Sequence, residues 1–227
     1  MGRCVMKNPA AGGGRWVPVA PGRFPAWLDE FARRHGGPLR VTADGAVTFR
    51  ATDGAVAECH VPFPPLPPLA GSPSAAAIAA HAAADRTVGV LLVRLGGYAV
   101  GVFAGSPPAL VGSRTGSRPV HGRSAAGGWS QHRFARRRQK QAGEALAAAA
   151  DAAAVVFGNA RLDAVVLGGD RRAVAGLAGD PRLAPYLAGA ADRFLTVPDP
   201  RLAVLRETPR DFQAIRIRLT EPGPDTV

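Results

Sequence analysis

The spacing of apolar and polar positions changes several times along the chain, and each change marks an element. From Pro25 to His35, Trp27, Leu28 and Phe31 fall on one side of a helix whose first turn holds Pro25. Two Asp-Gly pairs follow, Asp44-Gly45 and Asp53-Gly54, each flanked by β-prone residues. Asp-Gly tolerates the positive φ of a tight hairpin, so three short antiparallel strands are predicted, at about 39–43, 46–51 and 55–61. The run from Pro62 to Ser74 is too rich in proline for a helix or a central strand and reads as a semi-rigid linker.

Beyond the linker an Ala-rich helix is predicted from Ser74 to Ala84. Two apolar strands follow, Thr87 to Leu95 and Tyr98 to Ala104, joined at Gly96-Gly97, and then a third from Ala109 to Ser117. A polar, glycine-rich stretch leads to a long helix over Gln131 to Phe157. Strands at 162–167 and 192–197 alternate with helices at 171–178, near 181–187 and from about Pro200. Three antiparallel strands, a helix and then alternating elements predict a mixed α/β (α+β) layer fold. The division expected is a small N-terminal domain over 1–70, a second domain over 75–220 with a loop at 112–131, and a frayed tail over 221–227. Met1 to Gly14 reads as a loose lead-in.

At 227 residues the chain can bury roughly 70% of its unfolded surface without a metal or disulfide staple. Its apolar content of 47% excludes wholesale disorder. Cys4 and Cys59 are too few for a disulfide framework and too isolated for zinc. No run of about 18 apolar residues suggests a membrane span, so a soluble, cytoplasmic protein is expected. Charge is the informative property: 28 Lys+Arg against 17 Asp+Glu gives a formal +11, and all but Lys7 and Lys140 of the basic residues are arginine. A GC-rich genome would raise Arg, Ala, Gly and Pro together, so the position of the charge must decide. Between Asp85 and Glu144 there is no acidic residue, yet Arg86, Arg94, Arg114, Arg118, Arg123, Arg133, Arg136, Arg137, Arg138 and Lys140 all lie there. Codon bias does not empty such a segment of carboxylates; a nucleic-acid footprint does, although a solvated basic face is the blander reading.

On the long helix, Arg133, Arg136, Arg137 and Lys140 cluster on one face. Ala142, Ala145, Leu146, Ala149, Ala153 and Val156 take the other. Cations at a helix N-terminus oppose its dipole, which makes sense if phosphate is the neighbour. In the loop, Gly127 and Gly128 allow close backbone approach. Trp129 offers a stacking surface for a base, and Gln131 presents an amide at the helix start. Arg114, Arg118, Arg123 and His132 complete a candidate RNA-binding set. His121 and His132 also flank the loop as a conceivable acid–base pair. Walker, G-x-S-x-G, H-E-x-x-H and dinucleotide motifs are absent from the sequence, so no nucleotide or redox cofactor is expected.

The stretch from Gly122 to Arg138, with its Gly-Gly, Gln and Arg-Phe-Ala-Arg pattern, resembles the GGQ loop and following helix of the eukaryotic and archaeal class-I peptide-chain release factors. It is more similar still to the Vms-type release-factor-like peptidyl-tRNA hydrolases and their actinobacterial relatives. The resemblance covers about 75–200 and is specific over 112–140. Aligned through Arg133-Phe134-Ala135-Arg136, Trp129 stands at the family's glutamine position, and Gln131 follows two residues later. The resemblance implies an RNase H-like central domain. It also implies codon-independent hydrolysis of peptidyl-tRNA on the large ribosomal subunit, rescuing stalled ribosomes. In that reading Gly127 and Gly128 admit the loop, and Gln131 positions water or stabilises the leaving tRNA oxygen. The arginines would hold rRNA or tRNA phosphates, and a monomer suffices. Two alternatives stay open: a ribosome- or RNA-binding factor without catalysis, and a metal-independent tRNA endonuclease. A two-metal nuclease is disfavoured, because the three antiparallel strands carry no carboxylate.

Overall fold

The structure is a computed structural model describing residues 8–9, 13–44, 46–67, 73–94, 96–117 and 130–222; in the helix from Ser130, side chains are described from Gln141 onward. The chain is mixed α+β and divides into two compact units, Met1–Ala84 with Gln213–Val227, and Asp85–Phe212.

The first unit is built on an antiparallel sheet of β1 (Asn8–Pro9), β2 (Arg15–Val19), β3 (Arg40–Asp44), β4 (Ala46–Arg50), β5 (Val56–His60) and β11 (Ile215–Thr220), in the order β1-β2-β11-β5-β4-β3. Helices α1 (Phe24–His35) and α2 (Ala75–Ala83) contribute Phe24, Leu28, Phe31, Ile78 and Ala82 to its core, against Phe49, Ala57, Ile215 and Ile217. Ser74 caps α2, its Oγ accepting from the Ala77 N–H at 3.1 Å. Burial holds the Cys59 thiol in this core up at about 12, which keeps it inert.

This arrangement differs from the sequence-based division in three places. The helix after the proline-rich run belongs to the first unit, because Ile78 and Ala82 are wholly buried in that core. Residues 15–19 form a strand. The segment Ile-Arg-Ile-Arg-Leu-Thr, placed by the sequence reading in the second domain without a strand assignment, is β11. It pairs Ile217 with both Val17 and Cys59, so it joins two parts of the sheet that have no other link.

His35 ties the end of α1 to this sheet. Its Nδ1 lies 2.8 Å from Asp53 Oδ2, and its Nε2 lies 3.4 Å from Glu221 Oε2, just past β11. The Asp53 carboxyl is held below its ordinary value, first by the Ala55 N–H donating at 2.9 Å and then by His35. A carboxyl depressed in this way contributes stability that is fully present above its unfolded-state value and lost as pH falls through the folded-state one. Asp53→Asn is therefore expected to flatten part of the acid limb of the thermal midpoint below about pH 4. A pH series of melts read by circular dichroism checks this, and an unchanged acid limb contradicts it.

The second unit carries a five-stranded sheet of β6 (Val88–Arg94), β7 (Gly97–Ala104), β8 (Ala109–Ser117), β9 (Ala164–Gly169) and β10 (Ala190–Leu195), ordered β10-β9-β6-β7-β8. β6, β7 and β8 are antiparallel neighbours, while β9 runs parallel to β6 and β10 parallel to β9. α3 (Ser130–Gly158) and α4 (Arg171–Ala175) pack on one face. On the other, α6 (Leu202–Phe212) sets Phe212 edge-on to Phe103 at 5.7 Å. Coverage on both sides explains why β6 is a continuous apolar run. A short helix, α5 (Ala184–Ala188), adds Tyr186 and Leu187 to the α3 side. Among the described residues, no helix is long and apolar enough to cross a membrane.

Candidate functional site

The long helix is seated by a gap in the sheet. A Cβ at Gly89 on β6 would lie 2.9 Å from the Phe157 ring and 2.7 Å from Leu162, so only glycine lets the wholly buried Phe157 settle there. Tyr186 meets that ring edge-on at 5.2 Å. Ala149, Ala150, Ala152, Ala153 and Val156 line the buried face. Their small side chains bring the helix close to β7. Residues 141–148, in contrast, are half-buried or exposed.

At the other end of the sheet, Ala145 and Ala148 stand beside Gly96, Gly97, Tyr98, Gly116 and Ser117, around a shallow cavity of about 130 Å³. From Ala145 to Phe157 the helix covers ~18 Å, about the length of β6. α3 has 29 residues, which at 1.5 Å each gives ~44 Å. Its first four turns, from Ser130 to Glu144, therefore run ~22 Å past the end of the sheet. Ser117, the last residue of β8, pairs with Gly97 at that same end. The segment 118–129 thus connects the hairpin end of the sheet to the start of the overhanging helix.

The sequence-predicted site residues divide accordingly. Arg114 lies exposed on the edge strand β8, opposite Val100 and so on the sheet face that carries α3. Gln131, His132, Arg133, Arg136, Arg137 and Lys140 fall in the overhanging turns, where the backbone is helical; their side chains lie outside the described ones. Arg118, Arg123, Gly127, Gly128 and Trp129 lie outside the described residues.

Sequence reading missed the root of the loop. A Cβ at Gly116 would lie 2.5 Å from the Tyr98 ring, so Tyr98 lies across β8 just before its last residue, Ser117. The signal was Gly112 and Gly116 flanking Arg114 at alternate positions on one face.

The carboxylates at the strand ends are engaged with the backbone, Asp85 and Asp163 at the end of the sheet away from Ser117 and Asp170 at the hairpin end. Asp163 Oδ2 accepts from the Thr87 N–H at 2.7 Å, and Asp85 Oδ1 accepts from the Gly105 N–H at 2.9 Å. Asp170 caps α4, and the N–H groups of Ala173 and Arg172 hold its carboxyl below the ordinary value. Burial lowers the Arg86 guanidinium, which Asp163 partly offsets. Among the described residues, no three potential metal-binding side chains come together.

Fold and charge therefore describe a two-unit α+β protein whose acid-free segment runs through three strands of a sheet and ends on a basic helix overhanging one end of it. Residues 86–218 match the family model described as the actinobacteria/chloroflexi VLRF1 release factor, acVLRF1. The match spans more than half of the chain, and the protein belongs to that release-factor family. No curated protein matches the chain.

The seating of α3 makes a direct prediction. Phe157→Ala is expected to lower stability by about 3–5 kcal/mol, and Gly89→Val by about 1–3 kcal/mol through overpacking. Urea unfolding of the full chain measures both. Losses below about 0.5 kcal/mol would mean that α3 is held elsewhere.

Proposed function

We propose that this protein hydrolyses the ester between a nascent peptide and tRNA on the large ribosomal subunit, independently of any codon, and so rescues stalled ribosomes. The observation that carries the reading is the release-factor family match over the unit from which the basic helix projects. A central antiparallel trio extended by two parallel strands, with helices on both faces, supports an RNase H-like domain.

In this reading the loop tip enters the peptidyl-transferase centre. Gly127 and Gly128 let its backbone approach, while Arg114, Arg118, Arg123, Arg133, Arg136, Arg137 and Lys140 hold phosphates, with Trp129 and His132 against RNA. Gln131 positions a water at the ester carbonyl, or its N–H stabilises the leaving oxygen. Water adds at the carbonyl carbon and the carbon–oxygen bond to the ribose breaks. The products are a peptide carboxylate and a tRNA 3′ end that regains its hydroxyl. Positioning and fixed dipoles suffice for this chemistry, with ribosomal RNA supplying the rest of the site.

Release of labelled peptide from peptidyl-tRNA–large-subunit complexes tests the proposal. Wild type is expected to free the peptide and leave an intact CCA end, with Gln131→Ala slower by about 10²-fold though still bound. A shortened tRNA would instead mean a nuclease, and binding without release a non-catalytic RNA-binding factor. Replacing Arg133, Arg136, Arg137 and Lys140 with serine is expected to weaken binding and to reduce its logarithmic salt slope by about 3. Sedimentation with large subunits over a salt series reads that slope, and an unchanged one contradicts the phosphate role.

A further inference from the structure

The family match leaves most of the first unit unassigned, and that unit has an open sheet face of its own. Alternate residues of β2, β11, β5, β4 and β3 point away from the core. They bring Trp16, Arg216, Arg218, Glu58, His60, Arg50 and Arg40 onto one surface, all half-buried or exposed. The Arg216 guanidinium lies 4.6 Å from the centre of the Trp16 ring, and His60 meets that ring edge-on at 5.1 Å. Packing on the indole pre-orders the guanidinium, so little side-chain entropy remains to be lost on binding.

The charge on this face is predominantly positive. Glu58 is the one acid among its described side chains, and its carboxylate is paired with the Arg218 guanidinium at 2.5 Å and lies 2.8 Å from His60 Nε2. Asp44 takes the register position at the far hairpin end. Arg40 and Arg50 stand directly opposite each other, both exposed. Like charges in that position destabilise an antiparallel pair, a cost that a polyanion lying across them would reverse. The face is also too charged and too poor in apolar residues for the core of a protein interface.

We infer that this face is a second RNA-binding surface, taking single-stranded or looped RNA. A base stacks on the Trp16–Arg216 platform, and phosphates lie along Arg50 and Arg40, two to three inter-strand steps across and four residues along the strands from Arg216, ~17–20 Å away. Thr42, Thr48 and His60 between them offer hydrogen bonds to base edges or ribose.

The test uses the full chain with Arg133, Arg136, Arg137 and Lys140 changed to serine, so that the helix of the second unit contributes little. A fluorescein-labelled 12-nucleotide single-stranded RNA of mixed sequence is the probe, read by fluorescence anisotropy over a salt series. Trp16→Ala is expected to weaken binding about 10-fold, while Trp16→Phe retains most of it. Arg40→Ser with Arg50→Ser, both at exposed positions, is expected to reduce the logarithmic salt slope by about 1.4. Unchanged affinity and slope in these variants would overturn the proposal, and so would equal loss in Trp16→Ala and Trp16→Phe with a lowered melting temperature. Because binding of free RNA is the readout, the result is independent of whether the loop hydrolyses an ester.

Discussion

Phe157 pressed into the space that Gly89 leaves on β6 is the contact on which the rest of the second unit depends. It fixes one end of α3 at the start of β6, and the run of alanines keeps the axis close to the sheet. A helix of 29 residues held in this way has nowhere to go but past the end of that sheet. The buried half is small and apolar, the overhanging half basic, and the boundary falls near Glu144, the first acidic residue after Asp85. One rigid element thus converts a packing constraint at its C-terminus into a reach of about four turns at its N-terminus.

The carboxylates follow the same division. Asp85, Asp163 and Asp170 sit around the sheet and hold backbone N–H groups, tying strand ends to loops and capping α4. These three acids serve structure, and the segment from Arg86 to Gly143 carries no carboxylate at all. A polyanionic partner is favoured without a competing acidic surface on the same stretch of chain. The outward face of the first unit repeats this logic with Glu58 already paired.

Much of this was legible in the sequence, because local signals and global packing agree where the site is built. The Gly96-Gly97 turn, the apolar strands and the switch to helical spacing at Gln131 all describe elements that form where expected, and α3 runs from Ser130 to Gly158. What failed was long-range pairing. β11 alternates Ile-Arg-Ile-Arg as a half-buried strand should, yet its partners lie some two hundred residues away at β2, and no local pattern names them. The same closure drew α2 into the first unit. Among the site residues, Arg114 has a described place and Gln131 and its neighbours are located through the backbone of their helix, while Arg118, Arg123, Gly127, Gly128 and Trp129 lie outside the described residues.

The central claim is that α3 projects its loop into the site where peptidyl-tRNA is held. The most direct measurement is an electron cryo-microscopy structure of the Gln131→Ala chain on large subunits carrying peptidyl-tRNA. The account predicts density for 118–131 at the CCA end, with the basic turns of α3 against ribosomal RNA and the backbone N–H of residue 131 beside the ester. A bound protein with α3 directed away from the peptidyl-transferase centre would contradict it.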